Sequence, residues 1–349
     1  MGNPTRRHKL EIGDGRSKCM YIEPTVSDVA VLLAFYNAAG FSRILKNMQY
    51  VIKCLTDNNI PYFLVECVFK GAKQHFPDAT LVLHSDSYMF YKEQLINKLE
   101  KVVPPQYTKL AIIDGDIIFD APDWIDQISQ TLEKCDVLQP FKEACWLTPN
   151  NTKIRSRKPS YATGLLQNRL THPRSIHYFH PGFAWAFKRK TFQDIGGFYD
   201  RAVIGNGDML FVFNFFNDEI PDYWIREILD NTFILQGWKE YHEQFKKVAP
   251  KIGVIPIKAM HLFHGVRQNR QYTTRYKTAG TLLRDKAWDK EISVNKDGLY
   301  EFNNPIISDA VHEYFKRRNE DIPLSEAESI VFSTPRRRLT RRSNVSAKN

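Results

Sequence analysis

The sequence predicts an α/β domain built on a mostly parallel, doubly wound sheet. Three observations carry that expectation. Short apolar runs alternate with helical patterns through residues 28–120. The runs are continuous rather than alternating, which is how strands covered on both faces read. And 43% of the 349 residues are apolar, enough for a substantial core.

The elements follow in order. DVAVLLAFYNAAG (28–40) reads as a buried strand ending in a loop of small residues. SRILKNMQYVIKCLTDNN (42–59) reads as a helix. Ser42 is its N-cap, Ile44, Leu45, Met48, Val51, Ile52 and Leu55 form its apolar face, and Asn58-Asn59 stops it. IPYFLVECVFKG (60–71) and ATLVLHSD (79–86) are two further strands. SYMFYKEQLINKLEKVV (87–103) is a second helix, ended by Pro104-Pro105, and KLAIIDGDIIF (109–119) is the next strand. Beyond it the pattern loosens. Residues 141–180 read as loop-rich, with NNTKIRSRKPS (150–160) as the flexible stretch. Residues 182–216 read as a strand, a helix from Lys190, a break at Gly196-Gly197 and another helix, and residues 250–290 as a short strand with a loop. The expected domain spans 21–324, between a flexible basic arm (1–20) and a disordered basic tail (325–349).

Composition narrows the classes. No run of 18 apolar residues exists, so no membrane span is expected. MGNPTRRHKLEIGDGRSK lacks the apolar core of a secretory signal, and Arg6 stands where a myristoylation signal needs Ser or Thr. The expected location is nuclear or cytoplasmic. The five cysteines form no CxxC pair and read as reduced, mostly buried thiols rather than a zinc site. The net charge of +10 is unevenly spread: residues 336–349 carry +6 and residues 1–20 carry +3, leaving +1 for 21–335. Basic tails of this kind serve as nuclear addresses, DNA-contacting arms or solvated ends.

LAIIDGDIIFD (110–120) raises the chemical question. Asp114 and Asp116 end a buried strand, where carboxylates are costly unless a Lys or Arg partner, a solvated turn or a bound metal meets them. In doubly wound sheets ligands bind at the carboxyl ends of strands. Two carboxylates there can share a hard divalent cation, which would neutralise a diphosphate and polarise a leaving phosphate oxygen. The plain alternative is an Asp-Gly turn. HLFHGVRQNRQY (261–272) offers His261 and His264 as metal ligands, and Arg267 and Arg270 as a phosphate grip, or else a solvated basic loop. In Gly205-Asn206-Gly207-Asp208 the aspartate is a candidate general base at a helix start, or an N-cap. Lys92, Glu93 and Asn97 lie one helix before the Asp pair and read by themselves as surface polar groups.

Taken together, these stretches resemble the nucleotide-sugar glycosyltransferases of the GT-A superfamily. The match rests on the DxD motif at 114–116, YKEQLIN (91–97), HPGFAWAFKRKTFQDIGGFYDRAVIGNGD (180–208) and HLFHGVRQNRQY, in order across residues 28–300. The resemblance implies that Asp116 and His264, with His261 as the alternative histidine, bind Mn²⁺ or Mg²⁺. It implies that Asp114 holds the ribose or a metal-bound water, that Lys92 and Asn97 lie by the nucleotide, and that Arg267 and Arg270 contact the diphosphate. Asp208 would deprotonate the acceptor hydroxyl for an inverting transfer of a hexose from a UDP-sugar, such as UDP-glucose. The usual uracil-reading aspartate has no clear counterpart; Glu66 is the nearest carboxylate. The basic tails make the chain similar to the enzymes that glucosylate hydroxymethylated pyrimidines in DNA, including base J. A glycan, lipid or protein acceptor stays open. So does a non-catalytic nucleic-acid-binding protein, which leaves the Asp pair unexplained. A sugar-1-phosphate nucleotidyltransferase needs a Gly-rich loop where FYNAAGFSR (35–43) has a single glycine.

Overall fold

The strand β1 (Val29–Tyr36) runs through the middle of a seven-stranded sheet, and Val29 to Leu33 are fully buried. The computed structural model that shows this describes residues 27–170, 177–216, 232–270 and 274–333. The helix α1 (Ser42–Asp57), the strands β2 (Tyr62–Phe69) and β3 (Leu81–Ser85), the helix α2 (Lys92–Glu100) and the strand β4 (Lys109–Ile113) follow in the predicted order. β4, β1, β2 and β3 are parallel neighbours. Alternate β1 residues face opposite layers. Ala30 and Leu32 join Leu95 and Leu99 of α2, while Val31 and Leu33 join Met48, Val51 and Leu55 of α1. Burial on both faces is why these strands read as unbroken apolar runs.

The run 109–119 is not one strand. β4 ends at Ile113, Asp114-Gly115-Asp116 turns, and β5 (Ile117–Phe119) enters a second sheet of four strands. After the helix α3 (Trp124–Leu132), β6 (Val137–Gln139) returns to the large sheet. Residues 141–180, expected as loop, instead form the antiparallel hairpin β7 (Glu143–Leu147) and β8 (Ile154–Pro159), followed by the short helix α4 (Tyr161–Leu166). β9 (Ala184–Lys188) lies antiparallel between β4 and β6, so the sheet is mainly rather than wholly parallel. The helices α5 (Arg189–Asp194) and α6 (Gly207–Phe213) flank a break at Gly196 and Gly197, which both take positive φ. β10 (Ile252–Val254) completes the large sheet, and β11 (Lys258–His261) sits between β5 and β7 in the small one. The small sheet therefore runs β5-β11-β7-β8, with the Asp turn as the bridge between sheets.

Two further expectations change. Ser42 is the first helical residue of α1, not its cap. The carboxylate of Asp321 accepts the Ser42 and Arg43 N–H groups at 2.7 and 2.8 Å. Residues 325–333, assigned to the tail, belong to a helix Leu324–Ser333, because Ala327 and Val331 pack with Phe263, Val266 and Ile322. The arm 1–20 and residues 334–349 lie outside the described residues. No described helix is long and apolar enough to cross a membrane.

Candidate active site

A cavity of about 730 Å³ opens at the carboxyl ends of β1 and β4, where a mainly parallel sheet places ligands. Its floor is the Asp turn. Gly115 lets Met48 of α1 pack against the turn, since a Cβ there would displace the end of its side chain. The Asp114 N–H donates to Phe183 O at 2.9 Å and the Leu262 N–H to Asp116 O at 2.8 Å, so the turn is stitched to both sheets.

The two carboxylates have different fates. Asp114 pairs with Lys92 Nζ. Burial, with Asp116 and Asp208 nearby, raises the Asp114 pKa against the pull of Lys92. Burial opposes the charge of Lys92, but Asp114 and Glu93 more than reverse that and hold it protonated. Asp116 faces His264, Nε2 to Oδ2 2.6 Å, and His261, Nε2 to Oδ2 3.6 Å. Despite burial, the two histidines and Arg270 keep Asp116 well below the usual carboxylate range.

Asp116, His261 and His264 form the one three-residue group among the described residues whose ligand atoms could surround a metal ion. The two Nε2 atoms face each other at 3.1 Å, an approach that needs a proton or a cation between them. Asp116 Oδ1 is buried with no hydrogen-bond partner. Burial drives the His261 pKa down to about 3, leaving a neutral ring. Burial and Arg270 also oppose the charge on His264, but Asp116 and Glu320 outweigh them and raise its pKa. One carboxylate and two imidazoles suit Mn²⁺ better than Mg²⁺, which prefers an all-oxygen shell. Behind His264, the fully buried Glu320 reaches Nδ1 at 3.3 Å, Arg270 Nε at 3.8 Å and Arg318. Arg270 lies against the His264 ring, its Nη2 2.6 Å from Nε2.

Opposite this cluster, Gly182 passes so close to Asp208 that a Cβ on it would sit 2.9 Å from Asp208 Oδ2. Asp208 is not the cap of α6. Asn206 holds that position with φ +70°, and Asp208 lies in the first turn, where Oδ1 accepts its neighbour Met209's N–H at 2.9 Å. Glu93 reaches the same helix end, where a Cβ on Gly207 would push its carboxylate aside. Burial, reinforced by Asp208 and Asp114, pushes the Glu93 pKa up to about 7 against the pull of Lys92. The loop bearing Gly182 is pinned by the buried Gln139, which donates to His180 O at 2.9 Å and Gly182 O at 3.2 Å. Phe183 takes φ +75°, a conformation costing a bulky residue about 1–3 kcal/mol, and stacks on His261 with centroids 5.0 Å apart.

The structure thus brings together Asp114, Asp116, His261, His264, Arg270, Lys92 and Asp208, with Arg267 at the exposed rim of the cavity. It does not bring Asn97, whose amide is spent on Phe198 N and O, each at 2.8 Å. Glu66 does not line the cavity either, since it accepts the His75 and Phe76 N–H groups at 2.8 Å. Sequence reasoning missed Glu93, Glu320, Phe183 and the cations of β8, Arg155 and Lys158. The four charged ones signalled only by that charge, inside segments that read as loop or helix surface, and Phe183 gave no signal.

No protein-family model and no curated protein matches the sequence. Among solved structures, the catalytic domain of Drosophila β1,4-galactosyltransferase 7 with xylobiose is similar at 12% identity, covering 81% of this chain and 98% of that one, with a TM-score of 0.38. A mutant of that enzyme with manganese, UDP-Gal and xylobiose aligns at 12% identity over 77% of this chain and 86% of that one, TM-score 0.36. Glucosyl-3-phosphoglycerate synthase from Mycobacterium tuberculosis, with Mn²⁺, UDP and phosphoglyceric acid, aligns at 13% identity over 78% and 86%, TM-score 0.34. Likeness at this level decides nothing about chemistry, which rests on the side chains.

Proposed function

We propose that the chain is a metal-dependent glycosyltransferase of GT-A type that moves a hexosyl group from a UDP-sugar to a hydroxyl acceptor. The observation that carries it is the convergence of Asp116 Oδ2, His261 Nε2 and His264 Nε2 on the floor of a nucleotide-sized cavity whose lining also includes Asp208. Mn²⁺ or Mg²⁺ bound there would supply Lewis-acid charge at the leaving diphosphate. Arg270 and Lys92 add fixed positive charge on the same side. Asp208 Oδ2, its partner oxygen already engaged by Met209 N–H, takes the proton of the acceptor hydroxyl as that oxygen bonds the anomeric carbon. The bond from that carbon to the diphosphate breaks on the opposite face, giving inversion. Glu93, poised near neutrality, is placed to share the proton.

The finer reading is glucose from UDP-glucose onto a hydroxymethylated pyrimidine in DNA, by a nuclear or cytoplasmic chain. What supports it is the basicity of residues 1–20 and 336–349, which would give salt-sensitive phosphate contacts. The test is donor hydrolysis with Mn²⁺ across UDP-glucose, UDP-galactose, UDP-N-acetylglucosamine and GDP-mannose, with and without DNA carrying hydroxymethyluracil or hydroxymethylcytosine. The reading expects one UDP-sugar to be hydrolysed, faster with the modified DNA. Hydrolysis that the DNA does not stimulate rejects the DNA acceptor. A folded, metal-loaded protein that hydrolyses no donor rejects the transferase.

A further inference from the structure

Among the described residues, no carboxylate answers the charges of Arg155 and Lys158, which the β8 wall turns to the cavity. The register pairs Trp146 with Ser156 and Leu147 with Ile154, so Arg155 is an extra residue, a β-bulge of the kind that re-aims a side chain. Arg155 lines the cavity with Nε shut off from solvent and without a hydrogen-bond partner. Lys158 lines it too, and its Nζ donates only to a carbonyl, His177 O at 2.8 Å. Arg267 faces both from the turn after β11, and His180 Nε2 beside them is buried and unpartnered. Among the described residues no carboxylate pairs with Arg155, Lys158 or Arg267, whereas Arg157 on the same strand reaches Glu143 at 3.5 Å. Burial, and then Arg267, lower the pKa of both Arg155 and Lys158, which is the mark of like charges held together in a partly dry place. A fold that half-buries two cations, each within the field of Arg267, has room for an anion beside them.

The position separates this anion from the donor. His261, Trp146 and Ser156 lie in one row across β11, β7 and β8. With strands about 4.8 Å apart, β8 stands roughly 10 Å from the metal-side histidine. Trp146, His180 and Phe183 form an aromatic floor between them, with Trp146 and His180 centroids 5.0 Å apart. A diphosphate at Asp116 and the histidines has Arg270 and Lys92 beside it.

We propose that Arg155, Lys158 and Arg267 bind a phosphate group of the acceptor, so that the second substrate is a phosphorylated molecule rather than a neutral glycan. Assigning the phosphate to the acceptor rests on the transferase reading; the anion site rests on the side chains alone. The test is calorimetric titration of inorganic phosphate into the full chain, alone and saturated with UDP and Mn²⁺. Phosphate binds in both states, and Arg155→Gln and Lys158→Gln each weaken it by at least about tenfold while UDP affinity holds within about threefold. Two separate variants, each with its melting curve, keep a folding defect from passing for a lost site. Phosphate that UDP displaces, or variants that weaken UDP and phosphate together, overturn the proposal and hand these cations to the donor. No phosphate binding by the wild type overturns the site itself. Phosphate binding by a chain that never binds UDP overturns the transferase reading, and with it the acceptor assignment, while the anion site stands.

Discussion

The two walls of the cavity treat charge in opposite ways. On the β5–β11 wall each charge has an opposite one beside it: Asp116 has His264, His264 has Asp116 and Glu320, and Glu320 has Arg270 and Arg318. On the β8 wall Arg155 and Lys158 meet another cation instead. A wall whose charges are paired takes up a cation through its own ligand atoms. An unbalanced one waits for charge to arrive with the ligand. Even the Asp turn is divided this way, since Asp114 is neutralised from inside the fold by Lys92 while Asp116 keeps an oxygen unpartnered.

The largest way to break this comparison is to remove the oxygen that points at the cation. Asp116→Ala should lower metal-dependent turnover by about a thousandfold or more and abolish Mn²⁺ binding by calorimetry, and EDTA should do the same to the wild type. Turnover that survives both changes would make the group a structural ion pair. Asp208→Asn comes next. It should reduce kcat by about 10²–10⁴-fold while UDP affinity is kept, because a base acts only as the proton moves. A loss seen in UDP affinity instead would put Asp208 in the donor site.

Glu320 tests how far the balanced wall depends on its buried end. Its carboxylate is fully buried, and the three cations around it offer ion contacts but no well-aligned hydrogen bond. Glu320→Gln removes the buried charge that Arg318, Arg270 and His264 share and should destabilise the fold by about 3–5 kcal/mol in denaturant unfolding. A change near zero would mean that solvent reaches the pair.

How much of this was legible in sequence follows from where the partners lie. β1, β2 and β4 announce themselves because both faces of each are covered, and β3 because it is a short apolar run beside them. The Asp turn was found as a ligand site because its carboxylates interrupt an apolar run. That it changes sheets was not legible, since β5 pairs with β11 some 140 residues later in the chain, Ile117 with His261. The cap of α1 was misassigned to Ser42 because its true acceptor, Asp321, is 279 residues away. β8 was read as flexible because an edge strand facing a polar cavity has no apolar face to show. Glu320 sits in RRNED (317–321), which reads as solvated, and only folding turns it inward.

The smallest effect sharpens the comparison at Glu93, which stands between the walls. Its folded pKa of about 7 lies above the ordinary value of 4.5, because burial and the neighbouring carboxylates resist its charge. The folded chain therefore holds that proton more tightly than the unfolded one. Stability from this group falls as pH rises through the window from about 4.5 to about 7, and the deficit is complete above it. Glu93→Gln removes the deficit. The variant should match the wild type at the acid end of the window, gain on it through the window, and hold a constant lead above it of at most about 3 kcal/mol. Denaturant midpoints of the two proteins measured across the window decide the matter. Parallel curves would mean that Lys92 already keeps Glu93 ionised, and then Asp208 has no neutral carboxyl with which to share its proton.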